Sequence, residues 1–125
     1  MNLRTEVQER EDAFWVFPIG RLDSLTYALF DEAMAPLTSH RDKGIVLNLQ
    51  DLHYISSMGI RSIIKVGKVM KTGGKRFAAV NPQPQIRKVF EIINALPDLS
   101  LFQSEAEADA YFDTMQKKVI QEQKS

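Results

Sequence analysis

The chain contains no cysteine, no excess of either charge and no long apolar run, and each absence removes a class of explanation. Without cysteine there is neither a disulfide frame nor a thiolate metal site, which fits a reducing compartment. Sixteen basic and sixteen acidic side chains cancel, so no net field draws the molecule to nucleic acid or to an anionic membrane. Any partner must be recognised locally. No segment approaches the roughly 20 apolar residues of a membrane span, and the opening MNLRTEVQERED offers nothing suited to a secretion signal. The expectation is a cytoplasmic protein with no membrane span.

Catalytic constellations are equally scarce. Of the two histidines, His40 lies in a polar stretch and His53 precedes a serine pair, and neither has neighbours at metal-ligand spacing. His53 stands four residues from Ser57 across a turn, with no Gly-x-Ser-x-Gly elbow, so hydrolysis is not expected. KTGGKRF follows a helix and precedes a strand, the reverse of a phosphate-binding loop, and reads as a helix stop. The reading assigns no enzyme activity, no metal and no cofactor.

What is present is an alternation of strands and helices. At 125 residues and 44% hydrophobic content the chain fits one domain, residues 1–125, with no internal repeat or linker. NLRTEVQE and AFWVFPIG read as two strands about a charged turn and should pair as a hairpin. Ser24 is placed to cap a first helix with Leu25, Leu29, Ala33 and Leu37 inward, ending near Pro36. IVLNL, residues 45–49, reads as a strand covered on both faces. A second helix begins near Met58 with a stripe of Ile60, Ile63, Ile64, Gly67 and Met70, and TGG stops it. KRFAAVN is the next strand. Pro82 and Pro84 open a third helix with Ile86, Val89, Phe90 and Ile93 on one face, closed by Leu96 and Pro97. LSLF, residues 99–102, reads as a short strand. A final helix starts at Ser104 and Glu107, with Ala108, Tyr111, Phe112, Met115 and Val119 inward. The tail beyond about residue 120 should fray. The fold class is α/β, a mixed sheet opening on an antiparallel hairpin and backed by four helices.

The stretch LNLQDLHYISSMGIRSII, residues 47–64, places Ser56 and Ser57 where a helix exposes unpaired N–H groups. One reading is capping, worth roughly 1 kcal/mol. The other is a switch. Along the helix that follows, Arg61, Lys65, Lys68 and Lys71 share a flank with Val66 and Val69. Such a flank is either ordinary solvated surface or a docking face for an acidic partner.

PIGRLDSLT, then GIVLNLQDLHYISSMGIRSI, then GGKRFAAVNPQPQIRKVFEIINALPDLSLFQSEAEA, together resemble a STAS domain of the bacterial anti-sigma-factor antagonist family. The resemblance spans roughly residues 3–117. It implies a STAS fold and a protein-binding switch in which the unphosphorylated antagonist binds an anti-sigma factor that is also a serine kinase. Phosphorylation of a serine at the start of the second helix releases the partner, and a PPM-type serine phosphatase reverses the modification. The family motif is an acidic residue, Ser, Ser or Thr, then Gly. Aligned on Gly59, Ser57 takes the acceptor position, Ser56 stands where the acid is usual, and Met58 replaces the second hydroxyl. Loss of that acid leaves Ser56 as the alternative acceptor. The resemblance puts Asp23, Ser56, Ser57, Met58, Gly59, Arg61 and Lys65 in the partner-binding set. Asp23 either orients the serine hydroxyl across the sheet end or helps to cap the first helix. Two further readings stay open: a STAS scaffold that is not phosphorylated, or a sensor of a small ligand or nucleotide within a signalling assembly.

Overall fold

A computed structural model describes residues 2–95 and 104–124 of the chain. Strands β1 (Leu3–Glu9) and β2 (Ala13–Leu22) form the expected hairpin, antiparallel from Leu3 opposite Gly20 to Glu9 opposite Phe14. Strand β3 (Gly44–Asn48) runs parallel to the first half of β2 and carries β5 (Phe77–Val80) on its outer edge, also parallel. Helices α1 (Tyr27–Thr38), α2 (Ser57–Thr72), α3 (Pro84–Ala95) and α4 (Glu105–Gln123) complete the described elements. On β2 and β3 every second side chain, Phe14, Val16, Ile45 and Leu47, is buried. The alternate positions Trp15, Phe17 and Val46 are only half-buried, which is the period-2 signature of a sheet with one well-covered face.

One strand escaped the sequence reading. After Asn48 the side-chain Oδ1 accepts a hydrogen bond from the Gln50 N–H at 3.1 Å, and the Leu49 carbonyl accepts from the Leu52 N–H at 3.1 Å. This turn kinks the chain and returns it to the edge of β2 as β4 (Leu52–Ile55), pairing parallel from Gly20 opposite Leu52 to Leu22 opposite Ile55. Strands β3 and β4 are thus two segments along one side of β2. In LHYI the adjacent His53 and Tyr54 break both strict alternation and a continuous apolar run, so no strand period is visible. Strand β5 ends at Val80, so the outer edge of β4 has no strand neighbour among the described residues. Side-chain amides serve it instead. Gln83 Nε2 donates to the Gln50 carbonyl at 2.7 Å and Gln85 Nε2 to the His53 carbonyl at 2.8 Å. Gln116 of α4 both accepts from the Ile55 N–H at 2.9 Å and donates to the Ile55 carbonyl at 2.7 Å. A primary amide is itself a peptide group in miniature, so Gln116 completes the ladder as one residue of a further strand would.

Three helix readings need correction. Helix α1 starts at Tyr27 after Thr26, not behind a Ser24 cap, and buries Phe30, Met34 and Leu37. Leu25 is 81% exposed and Leu29 54% exposed, so the leucine spacing did not mark the inward face. In α2 the residue expected on the cationic flank, Val66, is buried, whereas Val69 remains exposed. In α4 the inward stripe is Ala108, Phe112 and Gln116, Tyr111 being 41% exposed, and the helix runs from Glu105 to Gln123. The third-helix stripe holds, with Ile86, Val89 and Ile93 buried and Phe90 packed against them. The strand read at LSLF and the close at Leu96 and Pro97 fall outside the described residues.

Candidate functional site

The turn from β2 to α1 is built around Asp23. Its backbone N–H donates to Thr26 Oγ1 at 2.9 Å, its carboxylate accepts from the Leu25 N–H at 3.0 Å, and its carbonyl accepts from the Tyr27 N–H at 2.9 Å. The Thr26 hydroxyl donates to the Arg21 carbonyl at 2.8 Å and lies 3.1 Å from the Asp23 carboxylate. Burial pushes the Asp23 carboxyl up, but the Leu25 N–H, the Thr26 hydroxyl and the Arg21 guanidinium outweigh it and hold the group below its ordinary value. Asp23 is therefore a charged turn-former that starts α1, and no hydrogen bond ties it to Ser57. Its network bonds the Leu25 N–H, and the Leu25 side chain is left exposed.

The start of α2 packs against the end of β2. The Ser56 N–H donates to the Leu22 carbonyl at 2.9 Å, and a Cβ on Gly59 would stand 2.5 Å from that same oxygen and 2.9 Å from Ile55 Cγ1. Only glycine allows this approach. Ser56 is the N-cap, its hydroxyl accepting from the Gly59 N–H at a long 3.5 Å. Capping is thus part of the answer for the serine pair.

Ser57 has a different partner. Its side chain is 0% exposed, and both its hydroxyl and its N–H donate to one carboxylate oxygen, Asp109 Oδ1 of α4, at 2.5 and 2.9 Å. A negative charge thus sits on the positive end of α2, an arrangement typically worth 0.3–1 kcal/mol. It also occupies the anion cradle that a nucleotide would need there. The hydroxyl-orienting task assigned to Asp23 is performed by Asp109, 52 residues beyond Ser57 in the chain. Accessibility of Ser57, which the switch reading requires, does not hold while α4 lies in this place. The hydroxyl is shut against Asp109 of α4.

Beside Asp109, the seam continues onto β4. Burial raises the Tyr54 hydroxyl to about 12, and its hydrogen bond to Asp113 adds to the effect. The Lys117 ammonium, 2.9 Å from Asp113, together with Tyr54 holds the Asp113 carboxyl below its ordinary value against the opposing effect of burial. The Arg21 guanidinium lies 3.9 Å over the Tyr54 ring.

The residues of the partner-binding set divide by exposure. Asp23, Ser56, Ser57 and Gly59 are buried, Met58 is half-buried, and Arg61 and Lys65 are exposed. Met58, Arg61 and Lys65 line a shallow hollow of about 120 Å³ with Tyr27, Asp31 and Ser62, between the first turns of α1 and α2. Lys65 pairs with Asp31 at 3.1 Å, a surface contact worth about 0–1 kcal/mol that a partner could displace. A second hollow of about 150 Å³ continues the groove past Met34, Val66 and Val69. Sequence reasoning missed Leu25 as an exposed group, and missed Asp109 and Gln116 altogether. The one signal for the latter was a glutamine four residues after Phe112, on the apolar face of α4.

No helix among the described residues is long and apolar enough to cross a membrane, and no group of metal-ligating side chains appears among them. The chain is 33% identical over 87 residues to BtrV of Bordetella bronchiseptica, described as a candidate anti-sigma factor antagonist, covering 67% of this chain and 75% of that protein. It is 26% identical over 99 residues to the anti-sigma-B factor antagonist of Staphylococcus aureus strain NCTC 8325, covering 79% of this chain and 91% of that one. Its fold matches that of the anti-sigma factor antagonist SpoIIAA in its unphosphorylated form with a TM-score of 0.60 at 18% identity, over 70% of this chain and 82% of the other. Residues 4–108 match the STAS domain. With that match, the hairpin-led mixed sheet and the serine at the head of α2, the chain belongs to the STAS domain family.

Proposed function

We propose that this protein is an anti-sigma-factor antagonist, a binding module rather than an enzyme, acting in the cytoplasm on an anti-sigma factor that doubles as a serine kinase. The names carried by its relatives support this reading. The single structural observation that carries it is Leu25, 81% exposed on a turn locked by the Asp23 and Thr26 hydrogen bonds. A lone exposed leucine needs no explanation. Leu25 stands two residues before Tyr27, which lines the hollow between α1 and α2, and its backbone is already ordered by the turn, which removes part of the freedom that binding would otherwise cost. Met58, Arg61 and Lys65 supply the flexible apolar and cationic parts of the same surface.

Ser57 is the proposed acceptor of the release signal, with Ser56 as the alternative. In that step Ser57 Oγ bonds to the γ-phosphorus of ATP held by the kinase, the bond to the β-phosphate oxygen breaks, ADP leaves, and the hydroxyl proton passes to a kinase base. A PPM-type serine phosphatase reverses the step: water bonds to the phosphorus, the bond to Ser57 Oγ breaks, the hydroxyl regains a proton and inorganic phosphate leaves. Immobilised protein should capture an anti-sigma factor from native lysate in an ATP-dependent manner, with the bound proteins identified by mass spectrometry. Leu25→Asp should reduce that capture about 10- to 100-fold, the usual range for a central contact, while leaving the unfolding midpoint unchanged because the side chain buries nothing. Undiminished capture by Leu25→Asp would remove this surface from the interface.

A further inference from the structure

The contacts of α4 differ in kind from those of the other helices. Among the described residues Phe112 is the single large apolar side chain that α4 buries fully. Its grip on α2 and β4 is polar and follows the helical repeat: Asp109 holds Ser57, Asp113 meets the Tyr54 hydroxyl, and Gln116 closes on Ile55, while its packing against α3 is accompanied by the buried Ala108 and the half-buried Met115, Val119 and Ile120. Each of these three polar contacts can be exchanged for water, which serves the same donors and acceptors. What the helix covers is the hydroxyl at the head of α2, leaving it 0% exposed.

We propose that α4 is an intramolecular cap that occupies the Ser57 site in cis, with Asp109 as its latch, and that it must lift before any kinase or partner can reach that serine. The proposal rests on the functional reading above for its purpose, but not for its mechanics. Closed, α4 and an incoming protein contend for the same groups, so the fraction of open molecules scales the apparent affinity of any partner that needs Ser57. Once Ser57 carries a phosphate, the Asp109 carboxylate faces like charge at hydrogen-bond distance, and the latch cannot close again. The same carboxylate supplies an acid beside the acceptor where Ser56 interrupts the usual motif.

The absence of native cysteine makes the cap measurable without kinase or partner. In Ser57→Cys, the thiol at position 57 should react with iodoacetamide at least about tenfold more slowly than the thiol of Lys68→Cys on the exposed flank of α2. Adding Asp109→Ala and Gln116→Ala to Ser57→Cys should bring the two rates within about threefold. Equal rates at the outset, or a slow rate unmoved by loss of both contacts, would overturn the cap. Native-state hydrogen exchange on the unaltered protein covers the case in which the combined variant fails to fold. The Ser57 and Ile55 amides, bonded only to α4 side chains, should exchange together at least about tenfold faster than Leu47 in the central sheet. Exchange at the rate of Leu47 would mean that α4 leaves only on global unfolding and would sink the proposal. Neither readout depends on a partner, so a failed capture experiment and a failed cap are told apart.

Discussion

Replacing Gln116 with leucine should cost the protein about 2–5 kcal/mol, although leucine fills nearly the same volume and is the better helix former. The loss is not in packing. Ile55 is fully buried, and its N–H and carbonyl both end on the Gln116 amide, so leucine would strand a donor and an acceptor at once. Each stranded group costs about 1–3 kcal/mol. Urea denaturation reads the effect directly, because a domain of this size loses about 1–3 kcal/mol of stability per molar urea, which moves the midpoint by about 1–3 M. Gln116→Glu is the sharper control: it keeps an acceptor for the Ile55 N–H but turns a charge toward the Ile55 carbonyl. An unchanged midpoint in Gln116→Leu would show that water reaches the edge of β4 and that α4 does not close it.

Ser57→Asp should separate the fold from the interface. A second carboxylate would stand beside Asp109 at the distance now spanned by a 2.5 Å hydrogen bond, and two acids that close cannot both stay ionised. Either one of them takes up a proton or the first turns of α4 move away from α2, since their hold on α2 is the Asp109 hydrogen bonds. The sheet with α1 to α3 should persist in circular dichroism, with the exchange protection of Ile55 reduced. Partner capture should fall about 100-fold or more, since burying an uncompensated charge in an interface costs several kcal/mol and every 1.4 kcal/mol is tenfold. Ser57→Ala should instead keep the partner and lose only the modification, because the Ser57 N–H can still reach Asp109. Equal capture by Ser57→Asp and the unaltered protein would remove position 57 from the switch.

Legibility in the sequence followed the range of the interaction. The hairpin and the faces of α2 and α3 could be read from spacings of two, three and four, because those side chains meet neighbours on their own element. Helix α1 was misread for a local reason: the Asp23 to Thr26 turn delays its start to Tyr27, and the delay rotates Leu25 and Leu29 out of the core and Phe30 and Met34 into it. The turn residues were visible, but not the phase they impose. Strand β4 was hidden because His53 and Tyr54, side by side between Leu52 and Ile55, break the alternation that marks a strand. The site divided in the same way. The serine pair and Gly59 were legible as a helix start, whereas Asp109 meets Ser57 across 52 residues and Gln116 meets Ile55 across 61. No spacing rule spans such distances, and a polar residue on an apolar stripe was the only trace they left.

The kink between β3 and β4 also divides the molecule optically. Trp15, its sole indole, stands on the half of β2 that pairs with β1 and β3, with the Arg10 guanidinium 4.1 Å from its ring. Tyr54 stands beyond the kink, its phenol bound to α4. Tryptophan emission therefore watches the hairpin, while the ultraviolet absorbance of Tyr54 on β4 and Tyr111 on α4 is the native signal through which the movement of α4 can be seen.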